Sequence, residues 1–262
     1  MASYTDREIF LTNFEKYANP EKYDEEYGSY LKDLPLLLEW AKKKGGPIID
    51  LACGTGRITI PLANEGFTIL GVDLHEGMLQ RAMQKAVRNQ QVISWHLQNC
   101  TDLSLPVKSP FIYMTGNSFQ HFLTNAIQER LLKRVRKHLD KDGIFIFGTR
   151  FPVMSELQNG ENSISVYKDQ NDREIREHIM ESYDHQTQVL TSTSKRVMAK
   201  TVQSPEETEE DSISLRYVFP QEMERLLYSS GFSILHSYGS WDKTPLNGDS
   251  KEMIYVCQKR NR

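Results

Sequence analysis

Two acids and two glycines lie close together in the first third of the chain, and their types and spacing are suited to binding a nucleoside. The run Asp50-Leu51-Ala52-Cys53-Gly54-Thr55-Gly56 is followed 23 positions after Asp50 by a further acid, Asp73. Gly54 and Gly56 allow a tight turn and let the backbone approach a ligand where a Cβ atom would collide. Asp73 can accept hydrogen bonds from both hydroxyls of a ribose, and its charge makes these bonds stronger than neutral ones.

The elements around these residues must place them at one edge of a sheet. Ile48 and Ile49 form the end of a buried strand, residues 57–65 read as a helix that Gly66 ends, and residues 67–72 form a second apolar strand. The order strand, glycine turn, helix, strand and acid is the first half of a nucleotide-binding α/β unit.

Residues that are missing from this unit restrict the ligand. Thr59 stands where the dinucleotide fingerprint requires glycine or alanine, and Arg57-Ile58 follow Gly56 where a phosphate loop requires lysine and serine or threonine. Asp50 would repel a pyrophosphate but suits a cation. A ligand with ribose hydroxyls, an ammonium group and a sulfonium fits these charges best, and S-adenosylmethionine (SAM) is that ligand.

The motif D-x-A-C-G-T-G at 50–56, with G-V-D-x-x-x-x-M-L at 71–79, resembles the class I SAM-dependent methyltransferase family. More narrowly, the chain resembles the small-molecule branch that carries an antiparallel sheet over its active site. The resemblance implies an α/β fold with a Rossmann-like seven-stranded sheet, mostly parallel with an antiparallel last strand. It also implies helices on both faces of the sheet and an inserted antiparallel β lid.

Periodicity divides the chain in agreement with this fold. Helical patterns cover residues 34–44, with Asp33 as the expected N-cap, and 76–88, where Met78, Leu79, Ala82, Met83 and Ala86 form an apolar stripe. Residues 161–219 lack helical periodicity, and 213–219 alternate as a half-buried strand does. We expect a helical cap at 1–33, a SAM-binding domain at 34–150 and 220–262, and an inserted lid at 151–219, with the acid-rich 204–211 at a hairpin tip.

Composition excludes several classes of protein. The 262 residues have 39% hydrophobic and 26% charged side chains and a net charge of −3, which argues against a generic nucleic-acid partner. Cys53, Cys100 and Cys257 lie far apart and predict buried, reduced thiols. We find no signal peptide, membrane-spanning run or metal-binding motif, and we expect a cytoplasmic protein with neither a membrane partner nor a metal.

The resemblance implies a set of cofactor-binding residues in the N-terminal segment and after the first four strands. They are Tyr17, Tyr23, Asp50, Ala52, Cys53, Gly54, Gly56, Asp73, Leu74, Met78, Asn99, Cys100, Thr101, Asn117 and Ser118. For Asp50 two roles stay open: bonding the N–H groups of the turn, or contacting the ligand indirectly as well.

The loop after the third strand departs from the family. Cys100 stands where the family usually places an acid that binds the adenine amino group, so Asn99, Asp102 or a backbone group are the alternatives. The fourth strand begins with Pro110-Phe111 and lacks the usual aspartate. Cys100 itself is expected to pack beside the adenine.

The activity that the resemblance implies is transfer of the SAM methyl group to an N or O atom of a small-molecule acceptor. In-line displacement at carbon requires alignment and desolvation and no covalent residue. His121 is either a general base or a helix-capping and packing residue. The candidates to face the acceptor from the lid are His178, Tyr183, Arg216 and Tyr217.

Three alternatives remain at this point. Nucleic-acid methylation is disfavoured because Gly116-Asn117-Ser118-Phe119 lacks the prolines of base-modifying relatives. A non-catalytic, regulatory SAM-binding protein would explain the changes at Cys100 and Pro110. A NAD-dependent enzyme is disfavoured by Thr59 and Asp50. The sequence indicates neither the acceptor nor the oligomeric state.

Overall fold

The computed structural model describes residues 13–157, 162–168, 172–199 and 206–260. The α-helices within these ranges are α1 (Pro20–Tyr27), α2 (Leu34–Lys44), α3 (Thr59–Asn64), α4 (Glu76–Arg88), α5 (Asn125–His138), α6 (Met154–Leu157) and α7 (Pro220–Ser229). The strands of the central sheet are β1 (Ile48–Leu51), β2 (Ile69–Asp73), β3 (Ser94–Leu97), β4 (Ser109–Met114), β5 (Leu139–Arg150), β10 (Phe232–Tyr238) and β11 (Glu252–Lys259). The strands of a second sheet are β6 (Asn162–Lys168), β7 (Glu174–Asp184), β8 (Val189–Met198) and β9 (Glu207–Arg216). Short 3-10 turns occupy Glu15–Tyr17, Cys100–Asp102 and Ser118–His121.

The central sheet has seven strands in the order β10-β11-β5-β4-β1-β2-β3. All neighbouring pairs are parallel except those of β11, which runs antiparallel to both β5 and β10. The second sheet is antiparallel, in the order β6-β7-β8-β9, and lies in the sequence between β5 and α7. The predicted fold class is therefore confirmed.

The order in which successive strands are added to the sheet reverses at β1, which lies between β4 and β2. Ile48 aligns with Ile69 on one side and with Phe111 on the other. Ligands of open α/β sheets bind beyond the carboxyl ends of the strands at such a switch point. The loops that follow β1, β2 and β4 therefore surround the position where a ligand is expected.

Both faces of the central sheet are buried, and β5 shows why. Phe145 and Phe147 point into the core that α5 and α7 cover, whereas Ile144 and Ile146 point into the core under α2. Successive strand residues face opposite sides, so a strand covered on both faces is apolar throughout. This double core holds the strand ends, and with them the loops of the site, in fixed positions.

The predicted helices 34–44 and 76–88 have the observed bounds, but three local predictions were wrong. Asp33 makes no capping hydrogen bond to α2, because its carboxylate is paired with Arg57. The helix expected at 57–65 is limited to Thr59–Asn64, since the glycine turn extends further. Met83 was expected in the buried stripe of α4 but is 41% exposed.

The prediction that the acid-rich residues 204–211 form a hairpin tip was also partly wrong. Glu207, Glu209 and Glu210 lie on β9 and pair with β8, and residues 200–205 fall outside the described chain. Asp211 forms an ion pair with Arg196, 2.7 Å between Oδ2 and Nη1. Cross-strand pairing therefore neutralises part of a charge run that composition alone assigned to solvent.

Three further findings concern the described residues. The three cysteines are free and buried, as predicted. No helix in the described ranges has the length and apolarity needed to cross a membrane. Within the same ranges, no cluster of three or more His, Cys, Asp or Glu side chains is arranged to hold a metal ion.

Candidate functional site

A pocket opens at the carboxyl ends of β1, β2 and β4. The predicted residues that line the pocket are Tyr17, Tyr23, Ala52, Gly54, Asp73, Leu74, Met78, Asn99, Cys100, Ser118 and His121. The predicted cofactor residues outside its lining are Asp50, Cys53, Gly56, Thr101 and Asn117.

The turn after β1 has a left-handed backbone at three positions, with φ of 54° at Ala52, 55° at Gly54 and 77° at Gly56. L side chains rarely adopt this conformation, so glycine is favoured there. A Cβ atom at Gly56 would also lie 3.2 Å from Ile60 and Trp95. Gly56 therefore serves the packing of the turn on α3 and β3, whereas Gly54 faces the pocket.

Asp73, at the end of β2, joins two loops of the pocket. Its Oδ2 accepts from the Gly54 N–H at 2.7 Å, and its Oδ1 accepts from the His75 N–H at 2.8 Å. Burial raises the pKa of Asp73, and the two N–H donors oppose this rise. An ionised carboxylate has about four acceptor positions, so two remain for a ligand.

Asp50 lies beneath the turn. Its Oδ2 accepts from the hydroxyls of Thr59 at 2.6 Å and Tyr113 at 2.8 Å, and its Oδ1 is buried without a hydrogen-bond partner. Burial raises the pKa of Asp50 to about 7. The expectation that Asp50 bonds backbone N–H groups of the turn was wrong, because two hydroxyls take that role.

Asn99 and Cys100 form the end of the pocket beyond β3. The Asn99 side chain accepts from the N–H of Thr101 at 2.9 Å and from its hydroxyl at 2.8 Å, which caps the 3-10 turn. Burial raises the pKa of the Cys100 thiol to about 12, so the thiol stays protonated. These observations agree with a packing role for Cys100 and a structural role for Thr101.

Gly116 and Ser118, in the loop after β4, form part of the pocket wall. Gly116 has φ of 64°, and a Cβ atom added there would meet only the Ser118 hydroxyl, at 3.9 Å. Ser118 donates to the Thr115 carbonyl at 2.7 Å. Asn117 has a left-handed backbone, φ 57°, and lies outside the lining. The free volume next to Gly116 therefore belongs to the pocket.

Residues 13–27, the N-terminal strap, cover the pocket. The Tyr17 ring contacts Tyr23 at 5.8 Å and His121 at 5.7 Å between centroids, and Phe14 stacks on His75 at 5.2 Å. Tyr17 and Tyr23, the two residues predicted from this segment, both line the pocket.

A charge cluster fastens the strap to α4. Asp24 accepts from Thr55 Oγ1 at 2.6 Å, from Arg81 Nε at 2.9 Å and from Lys85 Nζ at 2.7 Å. These donors outweigh the effect of burial, and the pKa of Asp24 is lowered. The strap is thus bound to the turn and to the helix that follow β1 and β2.

His121 has both ring nitrogens in hydrogen bonds to the strap. Nδ1 lies 2.7 Å from Nδ2 of Asn13, and Nε2 lies 3.0 Å from the Tyr17 hydroxyl. Burial lowers the pKa of His121 to about 4, so the ring is neutral near pH 7.

The four residues predicted to face the acceptor lie in different surroundings on or next to the second sheet. Tyr183 and Tyr217 meet edge to face, with centroids 6.4 Å apart, and the Tyr217 hydroxyl bonds the Arg150 guanidinium. Arg216 is buried and forms an ion pair with Glu222, 2.8 Å between Nη2 and Oε1. The structure therefore gives Arg216 a partner in the core and brings Tyr217 next to the end of β5.

His178 and Tyr183 lie on opposite faces of β7, because they are five positions apart and successive side chains of a strand point to alternate faces. His178 aligns with Ile164 and Lys195, whereas Tyr183 aligns with Leu190 over a small core. The sequence could not determine these faces, since they depend on strand register.

Five lining residues were not predicted, and they lie in the strap and in the loops after β2 and β4. They are Asn13, Phe14, His75, Gly116 and Phe122. Gly116 and His75 each adjoin predicted residues, so loop position was an available signal. Asn13 and Phe14 lie in a short irregular segment with no such signal.

Comparison with known proteins agrees with this geometry. Residues 48–143 match the sequence model of the family described as "Methyltransferase domain". A Geobacillus sp. (strain WCH70) protein that bears a methyltransferase name is 30% identical over 140 residues, 53% of this chain and 56% of that protein. The glycine/sarcosine N-methyltransferase of Aphanothece halophytica is 24% identical over 228 residues, 81% of this chain and 76% of that protein.

Among solved structures, an S-adenosylmethionine-dependent methyltransferase from Clostridium acetobutylicum ATCC 824 superposes with a TM-score of 0.77 at 19% identity. The match covers 95% of this chain and 99% of that one, so the likeness extends over the lid as well as the central sheet. The chain spans about half the length of the curated relatives that it matches first.

Proposed function

We infer that this chain belongs to the class I SAM-dependent methyltransferase family and that it transfers a methyl group from SAM to an N or O atom of a small-molecule acceptor. The observation that carries the inference is the Asp73 carboxylate, which links the glycine turn to the start of α4 at the pocket wall. The domain division at 1–33, 34–150 with 220–262, and 151–219 is part of the proposal; its first twelve residues lie outside the described chain.

The residues present fit SAM. Asp73 keeps two acceptor positions for the ribose hydroxyls, and Asn99 and Cys100 border the space for an adenine. The open space at Gly116 suits a bulky sulfonium group. Tyr17 and Tyr23 supply aromatic surface, which favours a cation.

The protein's task in this reaction is alignment and exclusion of water. When bound, SAM would supply an electrophilic methyl group: the acceptor lone pair would bond to the methyl carbon as the carbon–sulfur bond breaks, with S-adenosylhomocysteine as the leaving group. The strap and the loop after β4 hold the reacting end of the pocket between Tyr17, Ser118 and His121. Orientation and desolvation of this kind supply much of the rate enhancement of such displacements.

Arg150 is the side chain that we propose for binding the acceptor. It ends β5 and is exposed. Burial would lower the pKa of Arg150, but its bond to the Tyr217 hydroxyl and the charges of Tyr217 and Glu181 raise it. Because β5 runs parallel to β4, Arg150, its last residue, lies at the sheet edge where the pocket opens.

An exposed guanidinium at this edge suits an acceptor that carries a carboxylate. Glycine and sarcosine, the acceptors in the name of the Aphanothece relative, combine a carboxylate with an amine. We therefore propose an amine nitrogen as the methyl acceptor and Arg150 as the partner of a carboxylate on the same molecule, since Arg–carboxylate pairs are strong and oriented.

The test is transfer of labelled methyl from SAM to amines with and without a carboxylate. Removing a hydrogen bond to a charged group costs roughly 1.5–3 kcal/mol, so Arg150→Met should raise KM for the carboxylated acceptor about tenfold to a hundredfold. Arg176→Met, which removes an exposed arginine from β7, is the control and should leave KM unchanged. Equal methylation of amines lacking a carboxylate, unaffected by Arg150→Met, would refute the acceptor assignment.

A further inference from the structure

A chain of hydrogen bonds runs from the free edge of β9 to the pocket through Asn13, His121 and Tyr17. Asn13 is 5% exposed and lies on the strap. The order of donors and acceptors along this chain follows from one fixed point, the backbone of Ser214.

The amide of Asn13 has one satisfactory orientation. The Ser214 N–H donates to Asn13 Oδ1 at 2.7 Å, and Asn13 Nδ2 donates to the Ser214 carbonyl at 2.8 Å. Reversing the amide would place two donors face to face and two acceptors face to face. Because buried polar groups are costly to leave unpaired, the backbone of β9 determines which atom of Asn13 is the nitrogen.

This orientation determines the tautomer of His121. The second hydrogen of Asn13 Nδ2 points to His121 Nδ1, 2.7 Å away, and an Nδ1–H would oppose it. Nδ1 is therefore the acceptor nitrogen, and in a neutral imidazole the hydrogen is on Nε2. The imidazolium form is disfavoured by the same contact and by burial.

The tautomer in turn determines what Tyr17 does. His121 Nε2–H donates to the Tyr17 oxygen at 3.0 Å. Burial, first, and then the neighbouring Tyr23 and Asp73 raise the pKa of Tyr17, which keeps the phenol protonated. With its oxygen already accepting from His121, Tyr17 directs its own hydrogen elsewhere, and Tyr17 lines the pocket.

We propose that Asn13 is a positioning residue that holds His121 in the Nε2–H tautomer, so that His121 donates to Tyr17 and Tyr17 donates its phenolic hydrogen to an oxygen of the pocket ligand. A general base at this position would need a free lone pair on His121 Nε2, and this arrangement has none. His121 thus acts as a donor that orients Tyr17. Only the ligand half of the proposal rests on the proposed function.

Nitrogen-15 NMR of the full-length protein tests the tautomer, because protonated and unprotonated ring nitrogens have well-separated shifts. The chain has seven histidines, and His121→Gln identifies the His121 signals by their loss. We expect an unprotonated Nδ1 and a protonated Nε2 in the wild type at pH 7. A protonated Nδ1 in the wild type would overturn the proposal without any variant.

Asn13→Asp tests whether Asn13 imposes the tautomer. The carboxylate has no hydrogen to donate, so Nδ1 should become protonated in this variant. Asn125→Asp makes the same change at the exposed first residue of α5 and should leave the His121 signals unchanged. An unprotonated Nδ1 in Asn13→Asp would show that Asn13 does not determine the tautomer.

Tyr17→Phe, titrated with S-adenosylhomocysteine as the probe, tests the ligand half. The His121 shifts should keep the wild-type pattern, since Asn13 sets the tautomer, while the affinity should fall about tenfold, or about 1.4 kcal/mol. An affinity within twofold of the wild type would refute donation by Tyr17 to the ligand. Failure of the wild type to bind this probe would instead refute the proposed cofactor and leave the tautomer test valid.

Discussion

Replacing Asp73 by alanine separates the two tasks that the structure gives this carboxylate. Two of its acceptor positions hold the N–H groups of Gly54 and His75, at 2.7 and 2.8 Å, and two remain for ligand hydroxyls. Hydrogen bonds to a charged group contribute roughly 1.5–3 kcal/mol each, so losing two ligand bonds costs about 3 kcal/mol at the low end. Since every 1.4 kcal/mol is tenfold, the Kd for S-adenosylhomocysteine should rise at least about a hundredfold.

Asp73→Ala should also lower the stability of the fold, whereas replacing an acid that contacted only the ligand would not. Asp73→Ala leaves two N–H groups at the pocket wall without their acceptor, and we expect a loss of about 1–3 kcal/mol in the free energy of unfolding. Calorimetric titration measures the affinity, and urea unfolding without ligand measures the stability.

Glu76→Ala is the matched control for Asp73→Ala. Glu76 is an exposed acid in the first turn of α4, bonded to Gln80, so its removal changes the local charge equally and leaves the carboxylate at 73 in place. The control should bind the probe nearly as the wild type does. The reasoning is refuted if Asp73→Ala binds S-adenosylhomocysteine within twofold of the wild type while remaining folded.

Two further predictions concern buried charge and the strap. Burial raises the pKa of Asp50 to about 7. Between about pH 4 and 7 the folded protein therefore keeps a proton that the unfolded chain has released. Because of this difference, the contribution of Asp50 to the free energy of unfolding falls as the pH rises from about 4 to 7 and is constant above about pH 7. The stability of Asp50→Asn relative to the wild type should therefore increase from pH 4 to 7, by at most about 4 kcal/mol, in urea titrations without ligand, and a flat difference would contradict the raised pKa. Asp24→Asn removes the charge that binds Arg81 and Lys85, so the backbone amides of the strap should exchange hydrogen faster and the affinity for S-adenosylhomocysteine should fall about tenfold. The control Glu26→Gln should change neither the exchange nor the affinity. Equal exchange rates in both variants would show that the charge cluster does not hold the strap.

The central sheet was predictable because its signals are local. The glycine turn, Asp73 and the apolar stripe of α4 are recognised from the spacing of residues within about thirty positions of one another. The steric freedom of glycine and the helical period of apolar residues, which produce these patterns, are local properties of the chain. The structure brings Gly54 and Asp73 to the same sheet edge, as expected, and joins them by a hydrogen bond.

Several errors concern side-chain partners that no local sequence pattern marks. Asp33 has the composition of an N-cap, but the Arg57 guanidinium takes both of its oxygens. Asn13 meets Ser214, 201 residues away, and no local pattern marks that contact. In the lid, pairing register decides which face His178 and Tyr183 occupy, and a shift by one residue would exchange them.

The most direct test of the central claim is calorimetric titration of the wild-type protein with S-adenosylhomocysteine, with NADH as the control. The account predicts micromolar binding of S-adenosylhomocysteine and no binding of NADH, because Asp73 suits a ribose and Thr59 replaces the glycine or alanine that the dinucleotide fingerprint requires. Binding of NADH together with no response to S-adenosylhomocysteine would contradict the account.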